Sequence, residues 1–174
     1  MKKVLHALSA ALGDGCLLTD AEVAARAESW SSPNSCRALA IALPRTTDEV
    51  AAILRICHRA EQPVVPYGGG TGLVGGAIAG PAEIVLSLER MRAIGEIDSI
   101  MRTATVQAGV TLESLQDAAS QADLYFPLDL GARGSATIGG NISTNAGGNR
   151  VIRFGMMRDM VLGLAAVLAD GTVG

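Results

Sequence analysis

The sequence predicts an α+β chain built from two subdomains. Between residues 39 and 66 an apolar run, a stretch with helical periodicity and a second apolar run follow one another, the pattern of a β-α-β unit. From about Ile84 short strands take over, and these are assigned to a second, antiparallel subdomain. Hydrophobic residues make up 49% of the 174, enough to build a core and too many for a disordered chain.

The elements follow in order. Residues 1–35 read as a helical extension: Val4, Leu5, Leu8 and Leu12 share one face of a first helix, and Thr19-Asp20 caps a short helix over 21–28. The domain proper is expected over 36–174. Residues 39–43 form a strand stopped by Pro44. Thr46 with Glu49 fits a capping box, and Val50, Ile53, Leu54 and Cys57 recur at helical spacing. Residues 63–66 give the next strand. Strands follow at 84–88, 94–97 and 103–107. Thr111 caps a helix to about Gln121 with Leu112, Leu115 and Ala119 inward. Residues 125–131 are extended, 161–168 read as a closing buried strand, and Asp170-Gly171 signals a hairpin turn.

Composition excludes several classes. Seventeen acids against 14 bases give a net charge of −3, so there is no basic footprint for nucleic acid, and 3% aromatics leave few stacking platforms. The longest apolar run, 161–169, is half of what a transmembrane segment needs. Cys16, Cys36 and Cys57 are odd in number and widely spaced, which points to reduced thiols and a cytoplasmic location. Cys57-His58 lacks the further ligands of a zinc site, so no metal is expected.

Glycine carries the functional signal. Of 21 glycines, seven fall between residues 68 and 80 and seven between 131 and 155, so two segments need backbone freedom or close approach to a ligand. The first, residues 67–76 (YGGGTGLVGG), is uncharged and offers backbone N–H groups, the donors of an anion-binding nest. A P-loop is rejected because no Lys follows. Gly70, Gly72 and Gly75 match a dinucleotide fingerprint with Glu89 downstream, but only about eight residues precede the next strand, too few for the required helix. A free-standing diphosphate loop is favoured; a glycine-rich turn that holds no ligand stays open. The second segment is also neutral from 134 to 149 and rich in hydroxyls and amides, flanked by Arg133, Arg150, Arg153 and Arg158. One extended ligand, a dinucleotide, would suit both.

On these motifs the chain resembles the FAD-binding domain of the vanillyl-alcohol oxidase and p-cresol methylhydroxylase superfamily. The likeness is strongest to FAD-linked 2-hydroxyacid dehydrogenases, the D-lactate, glycolate and D-2-hydroxyglutarate enzymes. It covers about 36–174 and rests on residues 63–76, 127–131, 136–148 and Phe154-Gly155. It implies a two-subdomain fold with FAD between the subdomains. The implied diphosphate residues are Gly68, Gly69, Gly70, Thr71 and Gly72, with Pro66, Tyr67 and Gly75 around them. Pro127, Asp129, Ser135, Thr137, Ile138, Gly139, Gly140, Asn141, Thr144, Asn145, Gly147 and Gly148 are implied to line the flavin and ribityl chain. Phe154 stands where many members have Tyr, so it keeps the ring and loses a hydroxyl.

Residues 67–80 contain neither the His nor the Cys that tethers flavin in covalent members, which implies noncovalent FAD. The resemblance also implies a small-molecule 2-hydroxy acid as substrate, hydride transfer to flavin, a separate electron acceptor, and allows a homodimer. Whole enzymes of the family are longer and carry the catalytic base beyond this region, so this chain reads as the N-terminal part of the FAD domain with no catalytic residue of its own. Two alternatives remain: a stand-alone FAD or nucleotide module without turnover, and a Rossmann-type NAD-dependent enzyme.

Overall fold

The computed structural model describes residues 2–30 and 32–174. It divides into two compact units, Met1–Arg90 with Ala165–Gly174, and Met91–Leu164.

Unit 1 begins with α1 (Lys2–Leu12), which buries Leu8 and Leu12 and packs along α3 (Thr47–Arg59). Between them run β1 (Leu17–Leu18), α2 (Asp20–Ala24), β2 (Ala27–Ser29), β3 (Ser32–Ser35) and β4 (Ala40–Ala42). Thr46 starts α3 as its sequence dictates: its hydroxyl accepts from Glu49 N at 3.1 Å, and the Glu49 carboxylate reaches back to Arg45 N at 2.6 Å. Strands β5 (Val64–Tyr67) and β6 (Ile84–Ser87) complete a sheet of order β1-β4-β6-β5. β6 runs parallel to both β4 and β5, while β1 joins the β4 edge antiparallel. Alternation turns Ile41 and Val85 to one face, where they meet Val23, Cys36, Leu43 and Ala79.

Three expectations are corrected here. β6 belongs to the parallel sheet of unit 1 and does not open the antiparallel unit; all four of its residues are buried, the mark of a strand covered on both faces. The helix expected over 21–28 ends at Ala24, because Arg26 O accepts from Cys36 N at 2.7 Å and commits the next residues to the β2–β3 hairpin. Residues 161–168 form no strand. Leu162 and Leu164 are 86% and 62% exposed, and an isolated bridge, Val167 to Val173, is the one ladder contact of that stretch among the described residues. An apolar run becomes a strand only where a neighbour takes its N–H groups. The expected turn at Asp170-Gly171 is present, closed by paired bonds between Ala166 and Gly174 at 2.8 and 2.9 Å.

Unit 2 opens with the antiparallel pair β7 (Ile94–Asp98) and β8 (Thr103–Val106). It continues through α4 (Leu112–Gln121), α5 (Ile138–Ser143), α6 (Val151–Phe154) and a 3-10 turn, Met157–Met160. Thr111 Oγ1 caps α4 by accepting from Ser114 N at 3.2 Å. Val110, Leu112, Leu115, Leu128, Ile138 and Met157 form its core. Among the described residues no helix is long and apolar enough to cross a membrane.

Two outcomes follow. Ile53 is fully buried, so Ile53→Ala should cost about 2–5 kcal/mol in a urea titration. Burial raises the Cys57 thiol to about 11, so it stays protonated and resists alkylation at pH 8 until the protein unfolds. That contribution to stability is whole below the unfolded thiol value near 9 and fades as pH rises through about 11.

Candidate cofactor site

The first glycine loop leaves the C-terminal end of β5, where open α/β sheets place their ligands. Pro66 and Tyr67 close the strand. Leu88 N donates to Tyr67 O at 3.0 Å, fixing where the loop starts. Gly70 has a φ of +65°, and its α-carbon is approached so closely by the Tyr67 phenol that a Cβ has no room. Burial pushes the phenol pKa up, so the hydroxyl remains protonated. Trp30 N makes a long bond, 3.5 Å, to Gly70 O. The loop then runs exposed through Gly72, Leu73, Val74 and Gly75 and returns at buried Ala79.

No helix follows Gly75; residues 71–83 are irregular. The helix N-terminus that a Rossmann site needs is therefore absent from this segment. Among the described residues, the backbone N–H groups of residues 68–74 donate to no protein acceptor. From residue 68 to 82 no side chain is charged. Several unspent donors on a chargeless, side-chain-poor loop fit a diphosphate.

In unit 2 the second glycine region folds differently. Residues 138–143, IGGNIS, are poor helix formers, yet they make α5. Tertiary bonds supply what propensity lacks. Thr137 Oγ1 accepts from Gly140 N at 3.3 Å, Ile138 N donates to Val110 O at 2.8 Å and Gly139 N to Ala108 O at 2.9 Å. Gly139 lies so close to Ala108 that an added Cβ would stand 2.9 Å from its carbonyl oxygen.

Several polar groups named from sequence are engaged inside the protein. Ser143 and Thr144 hydroxyls donate to Gly139 O and Gly140 O at 2.8 and 2.9 Å. Asn145 Oδ1 accepts from Arg158 N at 3.1 Å. Asn141 differs: it is buried, and its Nδ2 has no hydrogen-bond partner. A buried amide donor left over in a capped, closed segment fits a ligand with an acceptor edge.

Asp129 holds the flank. Its carboxylate lies 3.5 Å from both Arg133 and Arg150, and its backbone bridges Gly148. Phe154 ends α6 with its ring centroid 6.0 Å from that of Tyr125, and Arg150 and Arg153 lie over Tyr125 and Phe154 at 5.4 and 5.0 Å. Pro127 is half-buried; Ser135 and Gly148 are exposed, and Gly147 is half-buried. Sequence reasoning did not find the β2–β3 hairpin beside the first loop; Arg26 and Trp30 carry no motif.

The model of the FAD binding domain family matches residues 38–174. The chain belongs to that family. Its cofactor is FAD. The chain is 49% identical over 142 residues to a D-2-hydroxyglutarate dehydrogenase of Xanthomonas citri pv. viticola, covering 82% of this chain and 30% of the relative. It is 50% identical over 130 residues to the mitochondrial D-2-hydroxyglutarate dehydrogenase of Danio rerio, covering 75% and 24%. The chain thus spans less than a third of the length of either. Phl p 4, a grass pollen allergen with glucose dehydrogenase activity, superposes with a TM-score of 0.85 at 23% identity, over 98% of this chain and 37% of that one. p-Cresol methylhydroxylase superposes at 0.75 and 22% identity, over 99% and 34%. The fold is the two-subdomain α+β fold of those two structures, and the match to the FAD binding domain family speaks against the NAD-dependent alternative.

The α5 contact gives a test. Gly139→Ala should destabilise by about 1–3 kcal/mol through overpacking against Ala108, read as a drop of several degrees in Tm.

Proposed function

We propose that this chain is the FAD-binding part of a flavin-dependent oxidoreductase that oxidises a 2-hydroxy acid of the D-2-hydroxyglutarate or D-lactate class. The unspent N–H groups of residues 68–74 carry the reading. The names of similar proteins supply the substrate class, D-2-hydroxyglutarate for those of Xanthomonas citri pv. viticola and Danio rerio and D-lactate for one of Schizosaccharomyces pombe named a putative D-lactate dehydrogenase.

Bound FAD supplies the hydride acceptor. The protein residues bind and orient. Gly68, Gly69, Gly70, Thr71 and Gly72 offer fixed dipoles to the diphosphate in place of cationic side chains. Asn141 Nδ2, buried and without a protein partner, would donate to an acceptor of the cofactor. Gly139, Gly140, Gly147 and Gly148 pack their α-carbons against protein neighbours and so shape the backbone beside which a flat ring would lie.

The cofactor is held without a covalent bond, since no His or Cys lies within residues 67–80. The base that takes the substrate hydroxyl proton lies outside these 174 residues. His6 and His58 sit exposed on α1 and α3, and Cys57 is buried and protonated. A separate electron acceptor would complete the reaction.

Gly72 separates a ligand role from a structural one. A Cβ there meets nothing within 4 Å and its φ is ordinary. Gly72→Ala should leave stability within about 0.5 kcal/mol. The purified chain should retain FAD after gel filtration, visible as bound flavin bands, and Gly72→Ala should weaken that binding about tenfold. Passage of FAD unretained through the unmodified, folded chain would overturn the reading. Anaerobic bleaching of the flavin in the longer protein by D-2-hydroxyglutarate, with D-lactate in parallel, tests the substrate class.

A further inference from the structure

Beside the first glycine loop lies a half-open cavity of about 220 Å³ whose wall includes Arg26, Glu28, Tyr67, Ala77, Ser87 and Glu89. Arg26 is its one cation among the described residues. It grips Glu89, 63 residues away, with two parallel bonds of 2.8 and 3.1 Å, and Ser87 Oγ adds a third to Glu89 at 3.1 Å. Glu28 is 6% exposed; one of its oxygens accepts from Ser32 and the other has no partner.

The pair joins the two pieces that touch the loop. Arg26 stands at the base of the β2–β3 hairpin, where its carbonyl accepts from Cys36 N. The tip of that hairpin holds Gly70 O through Trp30 N. Glu89 follows β6, whose Ser87 is in register with Tyr67, the residue that fixes the loop's start and packs on Gly70. Hairpin and strand end could otherwise shift past each other across a cavity that packing leaves unfilled. As a partly exposed pair, 44% and 27%, Arg26–Glu89 adds little to global stability. Its fork geometry, which Lys cannot reproduce, fixes direction.

We propose that Arg26 and Glu89 are positioning residues for the diphosphate loop, holding the Gly70 corner so that the N–H groups of residues 68–74 converge on one anion. This rests on the reading that the loop takes the FAD diphosphate. It is distinct from an electrostatic role: were charge alone at work, neutralising Glu89 beside a dianion would tighten binding.

The test titrates FAD by flavin fluorescence, with ADP and riboflavin as competitors, well below Tm. The proteins are the unmodified chain, Arg26→Gln, Glu89→Gln, the double variant, and the reversed pair Arg26→Glu with Glu89→Arg. Each single variant should lose about tenfold for FAD and for ADP while riboflavin binding is unchanged, and the double variant should be no worse than either single one. The reversed pair should recover most of the loss. Unchanged or tighter FAD binding by Glu89→Gln overturns the proposal, as does an equal loss for ADP and riboflavin, which marks general destabilisation. If the unmodified chain itself takes no FAD, the cofactor reading of the loop fails and the proposal goes with it. If the unmodified chain binds and the variants match it, the positioning role alone fails.

Discussion

The parallel ladder of β6 between β4 and β5 is the interaction on which unit 1 depends. Its register sets Tyr67 opposite Ser87 and so determines where the first glycine loop departs. The same strand carries the chain on to Glu89, so the loop's start and its ionic anchor are fixed by one element. A loop with no charged side chain has only backbone dipoles to offer, and dipoles act over short range. Their aim must be set by something rigid, and a strand buried on both faces is a firm support.

Unit 2 solves a related problem with weaker material. Gly139 and Gly140 strip α5 of helix propensity. The contacts to residues 108 and 110 and the Thr137 cap compensate. One consequence is that glycines with the same look in the sequence have different duties. Gly139 is required by a protein neighbour, whereas Gly72 faces open space.

Much of this was legible in the sequence. Helices α3 and α4 were marked by hydroxyl caps and period-3.6 apolar positions, and β5, β7 and β8 by short bounded runs. Those signals are local, and local chemistry decides such elements. Three features were not local. β6 was placed in the wrong unit because its partners lie 44 and 20 residues upstream (Ile84 pairs with Ala40 and with Val64). Residues 161–168 have the composition of a buried strand without the neighbour that makes one. The Arg26–Glu89 pair spans 63 residues, and Glu89 was weighed as the acidic residue of a fingerprint because spacing from the loop was all the sequence displayed. The glycine segments themselves were plain, since clustering against an even background needs no tertiary knowledge. Which of their hydroxyls are engaged within the protein became visible only with the fold.

The last ten residues, Ala165–Gly174, rejoin unit 1, with Gly171 O accepting from Arg55 on α3 at 3.3 Å. Unit 2 is thus an insertion within unit 1, and the first unit is discontinuous in sequence. On a ribosome that delivers residues in order, the inserted unit emerges whole before its host does. Through that interval α3 has Leu8 and its helix neighbours to pack on, but its Gly171 contact must wait until that residue has been made.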